Sequence, residues 1–269
     1  MAQAPRRRDG GVPEGSMLPS TRAAPSRRAP TPPIGAERDH ALEQVLRGLE
    51  ALGLVEPAAF AGTVSPPKTC RLCVYDLETT GLGRTEDIGI VELGAVVVGY
   101  TEASGWKRVA SLHKFSVPKT RVQNGVPHGH TRESMTNLGY KAFQDAAMPE
   151  FEAFLIDHNV DVLVAHNGRR YDHRIMCFHG FQPPEGMLAA DSLDWFKDAA
   201  PKQKSYSLGK LYPKFVGRAV PAAHNALPDC LAVIALMNSM PKITPDLCKT
   251  LAEPWEAIVA RCIGKRRVK

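Results

Sequence analysis

The sequence contains no uninterrupted apolar stretch of roughly 18 residues, the minimum for a bilayer-crossing helix, so no membrane span is expected. Cysteine is sparse and unpatterned. Cys70, Cys73, Cys177, Cys230, Cys248 and Cys262 show no framework spacing, and no apolar signal segment precedes them. This excludes a disulfide-stapled secreted scaffold and favours a reducing compartment. Cys70 and Cys73 form a C-x-x-C, yet no second Cys or His pair follows at zinc spacing. Cys73 also falls inside the first expected strand, so the pair reads as core thiols. No internal repeat is visible.

What is present is a chain of 269 residues, 43% apolar and 23% charged, enough for one domain with a sizeable core or two small ones. The net charge of +6 is uneven. Residues 1–35 contribute +4 and the tail GKRRVK contributes another +4, which leaves residues 36–263 at −2. Basic ends suit a polyanionic partner as well as they suit solvated disorder. Residues 1–65 read as a disordered basic, Pro-rich extension, with an amphipathic helix at 40–54 formed by Leu42, Val45, Leu46, Leu49 and Leu52. The Arg-rich, acid-poor start is compatible with mitochondrial or plastid targeting, and otherwise the expectation is cytoplasm or nucleus.

From residue 70 the pattern is α/β. Strands are expected at 71–76, 88–98, 108–116, 160–166 and 187–191. Helices are expected at 139–158, 172–180, 207–216, 226–239 and 253–263. Three strands in a meander followed by alternating elements predict a mixed central sheet flanked by helices. The main domain spans 70–245, and 246–269 form a C-terminal helix and basic tail.

The first strand runs into YDLETTGL, with Asp76 and Glu78 two positions apart on an extended segment. Alternation puts both carboxylates on one side, where like charges repel unless a proton, a cationic side chain or a metal compensates them. Further acids or histidines fall at expected element ends in AHNGRRYDHRIM (165–176) and HNALPDC (224–230), while KSYSLGKLY (204–212) makes a basic, aromatic turn. Read singly, Asp172 and Asp229 are helix N-terminal charges and His224 is a loop histidine. Converging at one sheet edge, four acids suit hard cations, Mg²⁺ or Mn²⁺, and His224 is placed to take a proton from water.

These residues resemble a known family. Asp76-x-Glu78, the Asp172 of H-N-x₃-Y-D and the His224-x-A-x₂-Asp229 segment are similar to the DEDDh group of 3′→5′ exonucleases, which has an RNase H-like fold. LVAHNGRRYD, KSYSLGKLY and HNALPD narrow the likeness to the three-prime repair exonuclease (TREX) family. The resemblance covers residues 70–240. It implies two Mg²⁺ ions, with Mn²⁺ as a substitute, on Asp76, Glu78, Asp172 and Asp229, with His224 as general base. It further implies a nucleotide pocket from Glu78, Thr79, Thr80, Gly81, Leu82, His166, Asn167 and Tyr171, shaped by Ser205, Tyr206 and Ser207. The implied activity is removal of 5′-mononucleotides from DNA 3′ ends, single-stranded or frayed, in DNA degradation or repair. An RNA exonuclease of the same fold and an inactive nucleic-acid-binding module are the alternatives. A homodimer formed through the 88–98 or 108–116 edge is implied, and membrane tethering is not.

Overall fold

A computed structural model of the chain describes residues 70–264. The helix expected at 40–54 and both basic ends lie outside the described residues. Among the described residues six strands form one mixed sheet in the order β3-β2-β1-β4-β5-β6: β1 (Arg71–Thr79), β2 (Ile90–Thr101), β3 (Gly105–Phe115), β4 (Val162–Ala165), β5 (Leu188–Asp191) and β6 (Glu253–Pro254). The first three are an antiparallel meander. Strands β4 and β5 then run parallel to β1, as helical crossovers require, and β6 closes the far edge antiparallel to β5.

Side-chain parity on β1 decides where the site forms. Cys73, Tyr75 and Leu77 point into one apolar layer with Leu93, Ala95 and Val97 of β2. That layer packs under α2 (Ala147–Asp157), α3 (Asp172–Phe178) and α8 (Trp255–Gly264). Leu72 and Val74 point the other way with Val96 and Val98. Their layer is covered by α4 (Ser192–Ala199), α5 (Leu208–Val216), α6 (Ala226–Ser239) and α7 (Pro245–Thr250). Helix α6 is buried almost all round because it lies directly on β1 and β2. Continuing the Leu72, Val74 parity brings Asp76 and Glu78 to the same face, at the end where α6 begins.

Several expected bounds move. Strand β2 is hydrogen-bonded on both sides, to β1 and to β3, so the 88–98 segment is not an edge; of the two segments considered, only β3 is. The helix expected at 139–158 starts only at Ala147, because Gly139 takes a positive φ of 77° and a short 3₁₀ turn, Phe143–Asp145, intervenes. A further short helix, α1 (Arg132–Asn137), occupies the stretch before it, opened by a capping box between Thr131 and Ser134. Cys70 and Cys73 are both buried.

Candidate active site

Asp76, Glu78 and Asp229 each offer a carboxylate oxygen, and these oxygens all lie within 4.8 Å of one another. Two come from β1 and the third from the first turn of α6. Asp172 is outside that group of three. It is the first residue of α3, only 3% exposed, and it acts on Asp76 through space. No Lys or Arg forms an ion pair with any of the four among the described residues. The consequence is a set of carboxyls that resist ionising. Burial, then repulsion from Asp172, Asp229 and Glu78, pushes Asp76 well above the usual carboxylate range. Burial followed by the charges of Glu92 and Asp229 raises Glu78 to about 8. Burial likewise raises Asp172 to about 7, against backbone N–H groups that pull it down, and Asp229 to about 6.

An all-oxygen donor set held this close, with no cationic side chain to balance it, fits a hard divalent cation. The pKa values give a test by stability. A carboxyl whose folded pKa is raised above about 4, its unfolded value, binds more protons when folded, so its contribution falls as pH rises through the folded value. The protein in EDTA is therefore expected to melt at progressively lower temperature from about pH 5 to about pH 8, the window set by Asp229, Asp172 and Glu78. Added divalent cation should reverse the trend by replacing the protons. Calorimetry across that range checks it, and a melting temperature in EDTA that climbs with pH would contradict it.

His224 stands exposed five residues before Asp229, in a left-handed backbone conformation (φ 66°). Its amide donates to Asp229 Oδ2 at 3.1 Å, so the loop and that carboxylate are fixed to each other. Both border a cleft of about 630 Å³ that continues past His166, Asn167 and the turn 204–209. Exposed Arg170, Lys197 and Lys204 line this cleft, a basic wall suited to phosphates. Lys197 carried no sequence signal as an isolated basic residue, and Arg170, although inside the quoted LVAHNGRRYD, was not singled out there.

The remaining pocket residues are held by an interlocking set of bonds. The Tyr171 hydroxyl pairs with Thr79 Oγ1 at 2.7 Å and donates to the Gly81 carbonyl at 3.1 Å, so it fixes the strand end. Gln123 donates to the Leu82 carbonyl, and His128 to the Thr79 carbonyl. Gly81 has φ 135°, and a Cβ there would overlap the Gln123 side chain. Thr79 and Thr80 are buried, whereas Leu82 projects 78% exposed beside the acids. His166 accepts from Ser192 Oγ at Nδ1 and donates to the Tyr206 carbonyl from Nε2, both at 2.9 Å. Burial lowers its pKa, so it joins β4 to the 204–208 turn as a neutral ring. Ser205 pairs with Ser207, and the Tyr206 hydroxyl donates to the Ala200 carbonyl, which shapes that turn.

Three buried groups here went unseen in the sequence. Asp191 accepts from the amides of Asn167, Arg169 and Leu193, and so sets the turn in which Asn167 takes φ 60°. His173 accepts from Tyr75 OH at 2.8 Å and donates to the Ala190 carbonyl, with burial lowering its pKa to about 4. It anchors the start of α3 just after Asp172. Glu92 lies directly opposite Glu78 across the β1–β2 ladder and is 1% exposed. Burial would raise its carboxyl, but bonds from His113 and His130 outweigh that and bring it down to about 2. The only sequence trace of these three was a polar residue inside or beside an apolar run.

Residues 73–237, more than half of the chain, match the model of the exonuclease family (RNase_T). The chain belongs to the exonuclease family. Within it, the chain is 27% identical over 192 residues to three prime repair exonuclease 2 of Mus musculus, covering 61% of this chain and 80% of that protein. It is 29% identical over 109 residues to three-prime repair exonuclease 1 of Bos taurus, covering 36% of this chain and 35% of that one. Among solved structures, the fold is similar to zinc-bound Escherichia coli exonuclease I in its complex with single-stranded DNA. The TM-score is 0.53 and the identity 17%, across 68% of this chain and 43% of the other. The chain thus spans less than half the length of that exonuclease I chain. At this identity the likeness speaks to the RNase H-like exonuclease fold, which the mixed sheet already displays.

Proposed function

We propose that this exonuclease-family domain is a divalent-metal-dependent 3′→5′ exodeoxyribonuclease that releases 5′-mononucleotides, acting on single-stranded or frayed DNA ends in degradation or repair. The observation that carries the reading is the convergence of Asp76, Glu78 and Asp229 beside His224 at the mouth of a basic cleft. The three carboxylates, with Asp172 behind them, would hold Mg²⁺, and Mn²⁺ by the same oxygen chemistry; two ions suit four acids. When bound, such cations supply Lewis-acid stabilisation of charge on the phosphate oxygens and lower the pKa of water.

The side chains account for the rest. His224 takes the proton of the attacking water from the solvent side of the cleft. The segment Thr79–Leu82, whose carbonyls are engaged within the protein, would meet the terminal nucleotide through a backbone N–H, and Leu82 offers an apolar surface for its base. Arg170, Lys197 and Lys204 hold the backbone phosphates leading in. The relatives are named as three prime repair enzymes, and one fold neighbour is a complex with single-stranded DNA, which supports DNA and a 3′ end for this chain too. The chemistry of the acids serves RNA equally, so the sugar decides. Matched single-stranded DNA and RNA oligonucleotides offered to one preparation should show DNA shortened faster, and faster shortening of RNA would replace the substrate while leaving the site intact.

Assembly belongs to the same reading. Strand β3 presents one edge to β2, and among the described residues no strand pairs with its other edge, which we assign to a second copy. A homodimer formed there would elute at twice the chain mass in light scattering. Proline at Val109, half-exposed in the middle of β3, should return it to the monomer. A wild-type chain that stays monomeric at micromolar concentration would contradict this assembly.

A further inference from the structure

Glu92 is a buried acid that the proposed chemistry does not use. It lies on β2, with the same parity as Val96 and Val98, so it faces α6. Its Oε1 accepts from two donors, the Ala226 amide at 3.0 Å and His113 Nε2 at 2.8 Å, while His130 Nε2 lies 3.4 Å from Oε2. Ala226 is the first residue of α6, two positions after His224 and three before Asp229. An acceptor at this position satisfies the first amide of the helix, which has no partner within the helix itself. His113 of β3 shares Oε1 with that amide, and His130 of the loop before α1 lies near Oε2.

The backbone packing agrees with this placement. Gly94, two residues along β2, lies so close to α6 that a Cβ there would overlap the backbone of Ala226 and Leu227. Cys230 donates its thiol to the Gly94 carbonyl at 3.4 Å. The end of α6 therefore rests on β2 at two neighbouring points, one polar and one a bare contact. Among the described residues the Asp229 carboxylate takes one hydrogen bond, from the His224 amide, while its own amide donates to the Asn225 carbonyl at 3.1 Å, so both groups depend on where α6 begins.

We infer that Glu92 is a positioning residue, whose bond to the Ala226 amide fixes where α6 begins and hence where Asp229 and His224 stand against Asp76 and Glu78. The inference rests on the metal-dependent reading of the site. It makes reach, not charge, the property that matters at position 92. Groups that orient a metal ligand in this way typically change metal affinity about 10- to 100-fold when lost.

Two conservative variants separate reach from charge. Glu92→Asp keeps the charge but withdraws the carboxylate by one methylene, whereas Glu92→Gln keeps the reach and the acceptor oxygen but is neutral. Mn²⁺ affinity is read by titration calorimetry on the full chain, with exchange of the Ala226 amide followed in metal-free protein. Glu92→Asp is expected to weaken Mn²⁺ binding about tenfold or more and to speed Ala226 exchange, while Glu92→Gln stays within about threefold of wild type on both. Native Mn²⁺ affinity in Glu92→Asp, or equal weakening in Glu92→Gln, overturns the inference. If Glu92→Asp does not fold, Gly94→Ala displaces the same helix end with Glu92 intact, and unchanged Mn²⁺ affinity there overturns it as well. The readout is ion binding, so wild-type protein that binds Mn²⁺ yet digests no DNA would sink the exonuclease reading and leave this one standing.

Discussion

Asp229→Asn should abolish DNA digestion and at the same time stabilise the metal-free fold. Both effects come from the same charge. Asp229 contributes one of the three converging carboxylate oxygens, and an amide oxygen there is a weaker ligand to a hard cation. Metal-borne stabilisation of the transition state amounts to several kcal/mol, so a loss of about 10³-fold in kcat is expected. Without metal the sign reverses. Asp229 is ionised at pH 8, above its folded value of about 6, and lies among Asp76, Glu78 and Glu92, all acids. Removing its charge relieves the cost of burial and the repulsion from Glu92, which His224 offsets only in part. The amide oxygen can still accept from the His224 amide, so the loop stays attached. Melting in EDTA at pH 8 should therefore rise, and the gain should vanish at pH 5, where Asp229 is largely protonated. Retained turnover, or a fall in the metal-free melting temperature at pH 8, would contradict this account of the site.

His224→Ala should lower kcat by about 10²- to 10⁴-fold, the usual worth of a general base, with little change in KM. The obvious objection is backbone strain. His224 has φ 66°, and a non-glycine residue without a short polar side chain tolerates that region poorly, at about 1–2 kcal/mol. Alanine could then displace the loop and harm activity without any role for the ring. Asparagine is the proper companion, because it enters the left-handed region readily but cannot accept the proton at neutral pH. If both variants lose activity alike while keeping wild-type Mn²⁺ affinity, the ring is the base. If asparagine restores turnover, the position matters only for the loop.

Much of this was readable in the sequence, for identifiable reasons. The 226–239 helix has its expected bounds because an apolar run follows directly on the polar HN pair. Asp76 and Glu78 share a face with Asp229 because strand alternation is local physics, already present in LCVYDLE. Helix α1 was missed although a trace existed: Thr131 and Ser134 have capping-box spacing, with serine in place of the usual Glu or Gln. Glu92, Asp191 and His173 left only the trace of a polar residue inside or beside an apolar run. Glu92 meets Ala226 across 134 residues only through the packing of α6 on β2, and the bonds of Asp191 and His173 depend on how β4, β5 and α3 come together. The exclusion of 88–98 as a dimer edge has the same origin, since which strand lies outermost is a property of strand order.

The most direct test of the central claim is a time course on single-stranded DNA labelled at the 5′ end or the 3′ end, in Mg²⁺ and in EDTA. The account predicts a ladder of progressively shorter 5′-labelled products and immediate release of the 3′ label as mononucleotide, both abolished by EDTA. Internal cuts, release of the 5′ label first, or digestion that survives EDTA would contradict it.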